Sequence, residues 1–282
     1  MNNLIGTIQT LEIIREIDTG YVLENDILLH HNETEAQLEP EQSVEVFIYQ
    51  NKKDQAIATT QLPNIHMDTY GWAQVVEVLP HLGVFVNIGT GKEILVSKDD
   101  LPLFEDVWPE TGDELYVTLG KDRKGRLLAI PATEGVFETI FEYAPEDLLN
   151  QQVTGRIYRT DREGATCITE EGYRGFIHHT ERKEEPRLGQ QVNGRAIEVK
   201  HDGTLNVSLR PLKQHGMLED ADAILESLEE NDGVIPFSDK SDPDDIRDTF
   251  NISKAAFKRA LGKLMKEKKI EQRDGKTYSI NK

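Results

Sequence analysis

Internal repetition constrains this chain more than any other feature. Three stretches share one rhythm: an opening strand, a glycine-marked turn, a second strand, then a short apolar run ending in polar residues. That run is ILLHHNE from Ile27 to Glu33, ILVSKDD from Ile94 to Asp100, and FIHHTE from Phe176 to Glu181. After a gap each copy resumes with a further strand: Ser43-Val44-Glu45-Val46, Gly112-Asp113-Glu114-Leu115 and Gly189-Gln190-Gln191-Val192. Each closes on a polar hairpin turn, at Asn51 to Asp54, Asp122 to Gly125 and His201 to Gly203.

Each copy therefore offers about five short strands with turn signals every ~8–12 residues, the pattern of a small barrel or sandwich. Its length suits a five-stranded OB-type barrel, whose closure removes edges that would otherwise aggregate. Pro63, Pro131, Pro145 and Pro211 fall near the joins. Residues 135–150 read as a linker with a short helical turn. The N-terminal alternation MNNLIGTIQTLEII reads as a strand.

The tail follows another period. Leu218, Ala221, Ile224, Leu225 and Leu228 recur at helical spacing. Ser241 is the expected N-cap of a second helix, with Pro243 and three aspartates in its first turn. Asn251-Ile252 makes a turn, and Ser253 caps a long helix from Lys254 to about Lys268. The apolar stripe of that helix is Phe257, Leu261, Leu264 and Met265. Two short strands around Asp274-Gly275 close the chain, a hairpin signal. Helix, helix–turn–helix and hairpin is the winged-helix order. The expected fold is mainly β with an α/β tail: barrels over 1–62, 66–134 and 146–213, then a winged helix over 217–282.

Charge is the objection to a nucleic-acid partner, because the 282 residues carry a net −19. The charge is unevenly spread. Residues 1–152 hold 9 basic and 27 acidic side chains, and residues 214–253 hold 2 and 12. Residues 153–213 hold 11 and 9, and residues 254–282 hold 10 and 3. Salt screens charges beyond about 8–10 Å, so local blocks matter more than the total. A phosphate-facing surface is expected in the last two basic blocks.

No run approaches the ~18 apolar residues of a membrane span, and the start lacks the basic and apolar regions of a signal peptide. One cysteine, Cys167, precludes an internal disulfide and fits a reducing cytoplasm. It is expected to be packed rather than reactive. The His30-His31 and His178-His179 pairs lack metal-ligand spacing, because adjacent strand residues face opposite ways. No nucleophile–base pair, phosphate-cradling glycine loop or paired-carboxylate motif is present. The expectation is a protein without enzymatic activity, metal or cofactor.

The repeats resemble S1-type RNA-binding barrels, which carry a phrase "F-G-x-F-V-x-x-G" and later "G-L-I-H-x-S-E". Leu82-Gly83-Val84-Phe85-Val86-Asn87-Ile88-Gly89 is similar to the first, and Gly175-Phe176-Ile177-His178-His179-Thr180-Glu181 to the second. The first repeat carries weaker versions, Thr19-Gly20-Tyr21-Val22 and Leu28 to Glu33. Three such barrels before a winged helix resemble the bacterial conserved virulence factor B (CvfB/YitL) family, over nearly the whole chain. The resemblance implies an RNA-binding regulatory protein linked to virulence.

It also implies a binding face made of the two aromatics of the first phrase and the histidine of the second. Carried over, these are Phe85 in the second repeat, with Leu82 and Val96 at the other two positions. In the first repeat they are Tyr21 and His30. The third keeps His178, with Glu163 and Thr166 replacing the aromatics and Tyr158 as a substitute. Arg156, Arg159, Arg174, Arg195 and Arg210 form the expected phosphate patch, since arginine forks suit phosphates and stack on bases. In the tail, Lys254, Lys258, Arg259 and Lys263 on the long helix and Arg273 and Lys276 on the wing fit nucleic-acid docking.

The expected function is binding of single-stranded RNA by a monomer, through barrel 3 and the winged helix, with barrels 1 and 2 assisting. A winged-helix DNA-binding regulator is one alternative. A protein-interaction subunit of an RNA-processing or ribosomal assembly is the other.

Overall fold

A computed structural model describes residues 4–51, 53–211 and 213–280. The chain divides into two compact units, Met1–Val207 and Ser208–Lys282. The first unit holds three closed barrels. Barrel 1 is built from β1 (Ile8–Ile17), β2 (Gly20–Leu23), β3 (Ile27–His30), β4 (Ser43–Gln50) and β5 (Ala56–Thr59). Barrel 2 has β6 (Gly71–Leu79), β7 (Gly83–Asn87), β8 (Ile94–Ser97), β9 (Glu114–Lys121) and β10 (Leu127–Pro131). A short helix, α1 (Glu134–Phe137), precedes barrel 3, made of β11 (Gln152–Thr160), β12 (Gly164–Thr169), β13 (Arg174–His178), β14 (Gln191–Val199) and β15 (Leu205–Ser208). Each barrel closes in the same way. Its third and fifth strands run parallel, as at Leu28–Ile57, Leu128–Leu95 and Gly175–Leu205.

Two local devices recur in all three. The first strand of each barrel shifts register once, between Ile13 and Arg15, Val75 and Glu77, and Ile157 and Arg159. Such a bulge bends a strand and tightens its twist, as closure requires. The glycine of the repeated phrase stands opposite the end of the third strand: Gly20 faces His30, Gly83 faces Ser97 and Gly164 faces His178. A Cβ at these glycines would lie 2.1, 2.1 and 2.4 Å from the carbonyl oxygens of Leu29, Val96 and Ile177. No other residue type fits there.

Barrels 1 and 2 share one hydrophobic core, which runs from Ile13 and Phe47 to Val86 and Leu119. Backbone pairing reinforces it, with Met67 N–H donating to the Gly6 carbonyl at 2.8 Å. Leu127 N–H donates to Gln50 Oε1 at 3.2 Å. Barrel 3 is joined to barrel 2 by Leu188 N–H on the Val107 carbonyl (3.0 Å) and Glu114 N–H on the Gly189 carbonyl (3.1 Å). Arg187 Nε pairs with Asp113 Oδ2 at 3.2 Å. Phe137 of α1 is buried and stacks on Tyr158 with ring centroids 3.7 Å apart. Cys167 is buried in barrel 3, and that burial pushes its thiol up to about 12.

The second unit contains α2 (Lys213–Glu230), β16 (Val234–Ile235), α3 (Pro243–Phe250), α4 (Lys254–Lys266), β17 (Ile270–Arg273) and β18 (Lys276–Ser279). Its sheet has the order β16-β18-β17. Ala221, Ile224, Leu228, Phe257, Leu261 and Leu264 meet in its core, whereas Met265 is exposed. Leu218 belongs to the expected stripe, but its side chain lies outside the described residues. The N-cap of α3 is Asp242, which accepts from Asp244 N–H at 2.8 Å. Ser241 sits one residue too early and instead accepts from Ser238 N–H at 2.8 Å. Asn251 takes the left-handed conformation (φ 52°), and Ser253 caps α4 through Ala256 N–H. The helix ends at Lys266, with Glu267 as its C-cap and Lys268 left-handed at φ 57°. Asp274 and Gly275, both at positive φ, form the two-residue turn of the wing.

Candidate nucleic-acid interface

The shared glycine fixes which residues are equivalent, and it corrects two sequence expectations. Since Gly20, Gly83 and Gly164 correspond, Tyr21 corresponds to Val84 and Ala165, not to Phe85. Those are interior positions, and Tyr21 is only 4% exposed, its Oη accepting from Leu38 N–H at 3.3 Å. The residue equivalent to Phe85 is Val22. A slip of one residue along a strand reverses the face, so Tyr21 is core rather than a stacking surface. The same register places Ser97, not Val96, at the histidine position; Val96 is fully buried.

The histidine position has a structural task. It stands immediately before a short 3-10 turn. Ser97 Oγ accepts from Asp99 N–H, and His178 Nδ1 accepts from Thr180 N–H, each at 3.3 Å. His30 has its Nδ1 3.1 Å from the Thr19 carbonyl instead. His31 and His179 open these turns rather than continuing the strands. Consequently the rings of His178 and His179 lie side by side, with centroids 4.2 Å apart, instead of on opposite faces.

On barrel 3 the cross-strand row is Arg159, Thr166 and Phe176, of which Thr166 is covered, at 1% exposed. Phe176 is half-buried, and His178 meets its ring edge-on at 6.3 Å. The aromatic missing from β12 is thus supplied by the neighbouring strand, a substitution that phrase matching along one strand misses. A separate cleft of about 930 Å³ is lined by His179 and Arg162 of barrel 3 and by Leu103 and Phe104 of barrel 2, with the carboxylates of Asp106, Asp161 and Glu185 in the same lining. Phe104 is 72% exposed. Neither Phe104 nor Leu103 was a sequence candidate; the signal was two large apolar residues in a polar loop. Phe85 of barrel 2 is half-buried, with Glu77 and Leu95 beside it in the ladder.

The arginines are more engaged than their number suggests. Arg159 pairs with Asp161 at 2.7 Å and Glu134 at 3.2 Å. Arg174 pairs with Glu134 at 2.6 Å, and its Nε donates to Tyr158 Oη at 3.1 Å. Tyr158, the bulge residue, is buried under Phe137 and donates to Glu134 at 3.1 Å, so it is not an open substitute for the missing aromatics. Burial is the main reason its phenol is held well above the usual range. Arg156 pairs with Glu114 at 2.5 Å. Arg195 is half-buried, 3.5 Å from Asn150 Oδ1, and Arg210 is exposed. Burial works to raise the Asp161 carboxyl, but Arg159 and the N–H groups of Glu163 and Gly164 outweigh it and hold the pKa low.

In the second unit the cations lie on α4 and the wing. Lys258 and Arg259 are exposed, and Lys254 and Lys263 half-buried. Lys258 is 3.9 Å from Asp239 and Lys263 3.8 Å from Glu267, both loose pairs. Arg273 and Lys276 face each other across the wing turn. Arg273 packs its guanidinium 4.5 Å from the Tyr278 ring.

Three five-stranded barrels of the S1 kind followed by a winged helix define a multidomain chain built from modules of binding type rather than enzymatic families. Family models match in the same order: "S1 domain" over 5–61, "CvfB first S1-like domain" over 70–130, "Virulence regulatory factor CvfB, second domain" over 137–211, and "CvfB-like winged helix domain" over 222–278. The chain belongs to the conserved virulence factor B family. It is 49% identical to the Bacillus subtilis protein YitL, across 95% of this chain and 91% of that one. It is 36% identical to conserved virulence factor B of Staphylococcus epidermidis, across 97% and 94%. A crystal structure from Streptococcus pneumoniae TIGR4, of a multidomain protein with nucleic acid binding domains, matches with TM-score 0.69 and 38% identity, covering 99% of this chain and 100% of that one.

Proposed function

We propose that this chain is a monomeric cytoplasmic regulator that binds single-stranded RNA, without a chemical step. The observation that carries the reading is the barrel 3 cleft, which exposed Phe104 lines together with Arg162 and His179, the His179 ring lying against that of His178. Aromatics stack on bases of any sequence, and a neighbouring cation follows the backbone. The cations of α4 and the wing give the second unit its own phosphate-attracting surface. Barrels 1 and 2 carry the acidic bulk and assist. Two weak sites on one chain gain affinity through effective concentration. The relative from Streptococcus pneumoniae, described by its nucleic acid binding domains, supports the partner class.

Fluorescence anisotropy with a labelled single-stranded RNA tests this on the full chain. Phe104→Ala is expected to weaken binding about fivefold or more, the cost of one stacked base. Arg162→Ala is expected to weaken binding and reduce the slope of log affinity against log salt by ~0.7, one phosphate contact on a single strand. Wild-type affinity and slope in both variants would contradict the placement.

A further inference from the structure

A second aromatic cluster lies away from the cleft described above, on the first and fourth strands of barrel 2. Trp72 of β6 is 38% exposed, and Tyr70 just before that strand is 37% exposed. Tyr116 of β9 ties them together, with ring centroids 5.0 Å from Trp72 and 5.7 Å from Tyr70. Exposed rings cost solvation unless something covers them. Trp72 and Tyr116 form one wall of a cleft of about 360 Å³ whose other wall belongs to barrel 3, including Arg156, Thr169, Glu170 and Gln191.

The chemistry of the two walls differs. On the aromatic side the Arg156 guanidinium lies 5.0 Å from the Trp72 ring centroid, held there by Glu114. Its Nε is buried and has no hydrogen-bond partner among the described residues. On the polar side Glu170 Oε1 accepts from Gln191 Nε2 at 3.3 Å, and its other oxygen has no partner among the described residues.

These features select against two ligand classes. A cationic group at the Trp72 ring would be repelled by the Arg156 guanidinium 5.0 Å from the ring centroid. A phosphate would meet Glu114 and Glu170 against a single guanidinium. A flat, neutral heterocycle with N–H donors on its edge satisfies both walls. We infer that this cleft takes one unstacked base of the bound strand, guanine before the others, with Trp72 and Tyr116 as the stacking wall and Glu170 as the edge reader. A carboxylate accepts two parallel N–H bonds from guanine N1 and N2. Adenine and cytosine each offer one amino group, and uracil only its ring N–H. The inference rests on the proposed single-stranded RNA binding.

The test uses the full chain and three labelled single-stranded RNAs: all-uridine, and uridine with one guanosine or one adenosine at its centre. Wild type is expected to prefer the guanosine strand about fivefold or more over the others. Trp72→Ala is expected to weaken binding of that strand by about fivefold or more, with Trp72→Phe restoring most of it. Glu170→Gln is expected to bring the three strands within about twofold of one another. Thermal melting of each variant separates loss of a contact from loss of the fold. If wild type binds all three equally and the variants leave that pattern intact, the base-pocket inference fails while RNA binding stands. If wild type binds none, the reading beneath it fails and the inference with it. Protection of Trp72 from fluorescence quenching by a proline-rich peptide, but by none of the RNAs, would assign the cleft to a protein partner and overturn the inference.

Discussion

At the scale of single residues, the count of arginines is a poor guide to what they do. Arg156, Arg159 and Arg174 each hold a carboxylate, and Glu134 alone engages two of them and the Tyr158 hydroxyl. Pairing of this kind is invisible in sequence because partners such as Arg174 and Glu134 lie 40 positions apart. Glu134 sits on α1 beside the outward face of barrel 3, so it both stabilises the joint and places a negative charge where a phosphate would approach. Glu134→Gln is expected to lower the stability of the first unit by about 1.5–3 kcal/mol, the usual worth of hydrogen bonds to a charged group. The same substitution is expected to raise single-stranded RNA affinity several-fold at low salt. Urea unfolding and anisotropy check the two effects; unchanged stability would contradict the bridging role of Glu134.

At the scale of strands and helices, the repeat punctuation was legible because turns and close approaches demand particular residues. Gly83, at φ +135° with the Val96 carbonyl 2.1 Å from any added Cβ, explains why the phrase contains glycine at all. Gly83→Ala is expected to destabilise the first unit by about 2–3 kcal/mol through backbone strain, read as a lowered midpoint of thermal unfolding. A neutral outcome would contradict the close pairing of β7 and β8. Register was less legible. Tyr21 and Val22 are both apolar and adjacent, and pattern alone does not say which faces inward. The barrel decides, through Gly20 opposite His30. The cap of α3 shows the same limit, since Ser241 and Asp242 are both good caps and only the start of the helix at Pro243 selects Asp242. Cross-strand compensation, with Phe176 beside Thr166, lay beyond any reading of one strand at a time.

At the scale of the whole molecule, the units have separate cores. Barrels 1 and 2 share one cluster, and Phe137, Tyr158 and Ile168 seal barrel 3 to barrel 2. The winged helix closes around its own Phe257 cluster. Calorimetry is therefore expected to show two transitions, the larger from the three barrels melting together. Three separate barrel transitions would contradict the shared core. The net charge of −19 belongs mostly to barrels 1 and 2, which explains how an acidic protein can carry a nearly neutral barrel 3 and a cationic local surface on α4 and the wing. The cationic surface of the second unit and the barrel 3 cleft are proposed to serve single-stranded RNA. The most direct test is equilibrium binding of the full chain to matched single-stranded RNA, single-stranded DNA and duplex DNA at two salt concentrations. Single-stranded RNA is expected to bind tightest, with affinity falling as salt rises; tightest binding to the duplex would contradict the proposed function.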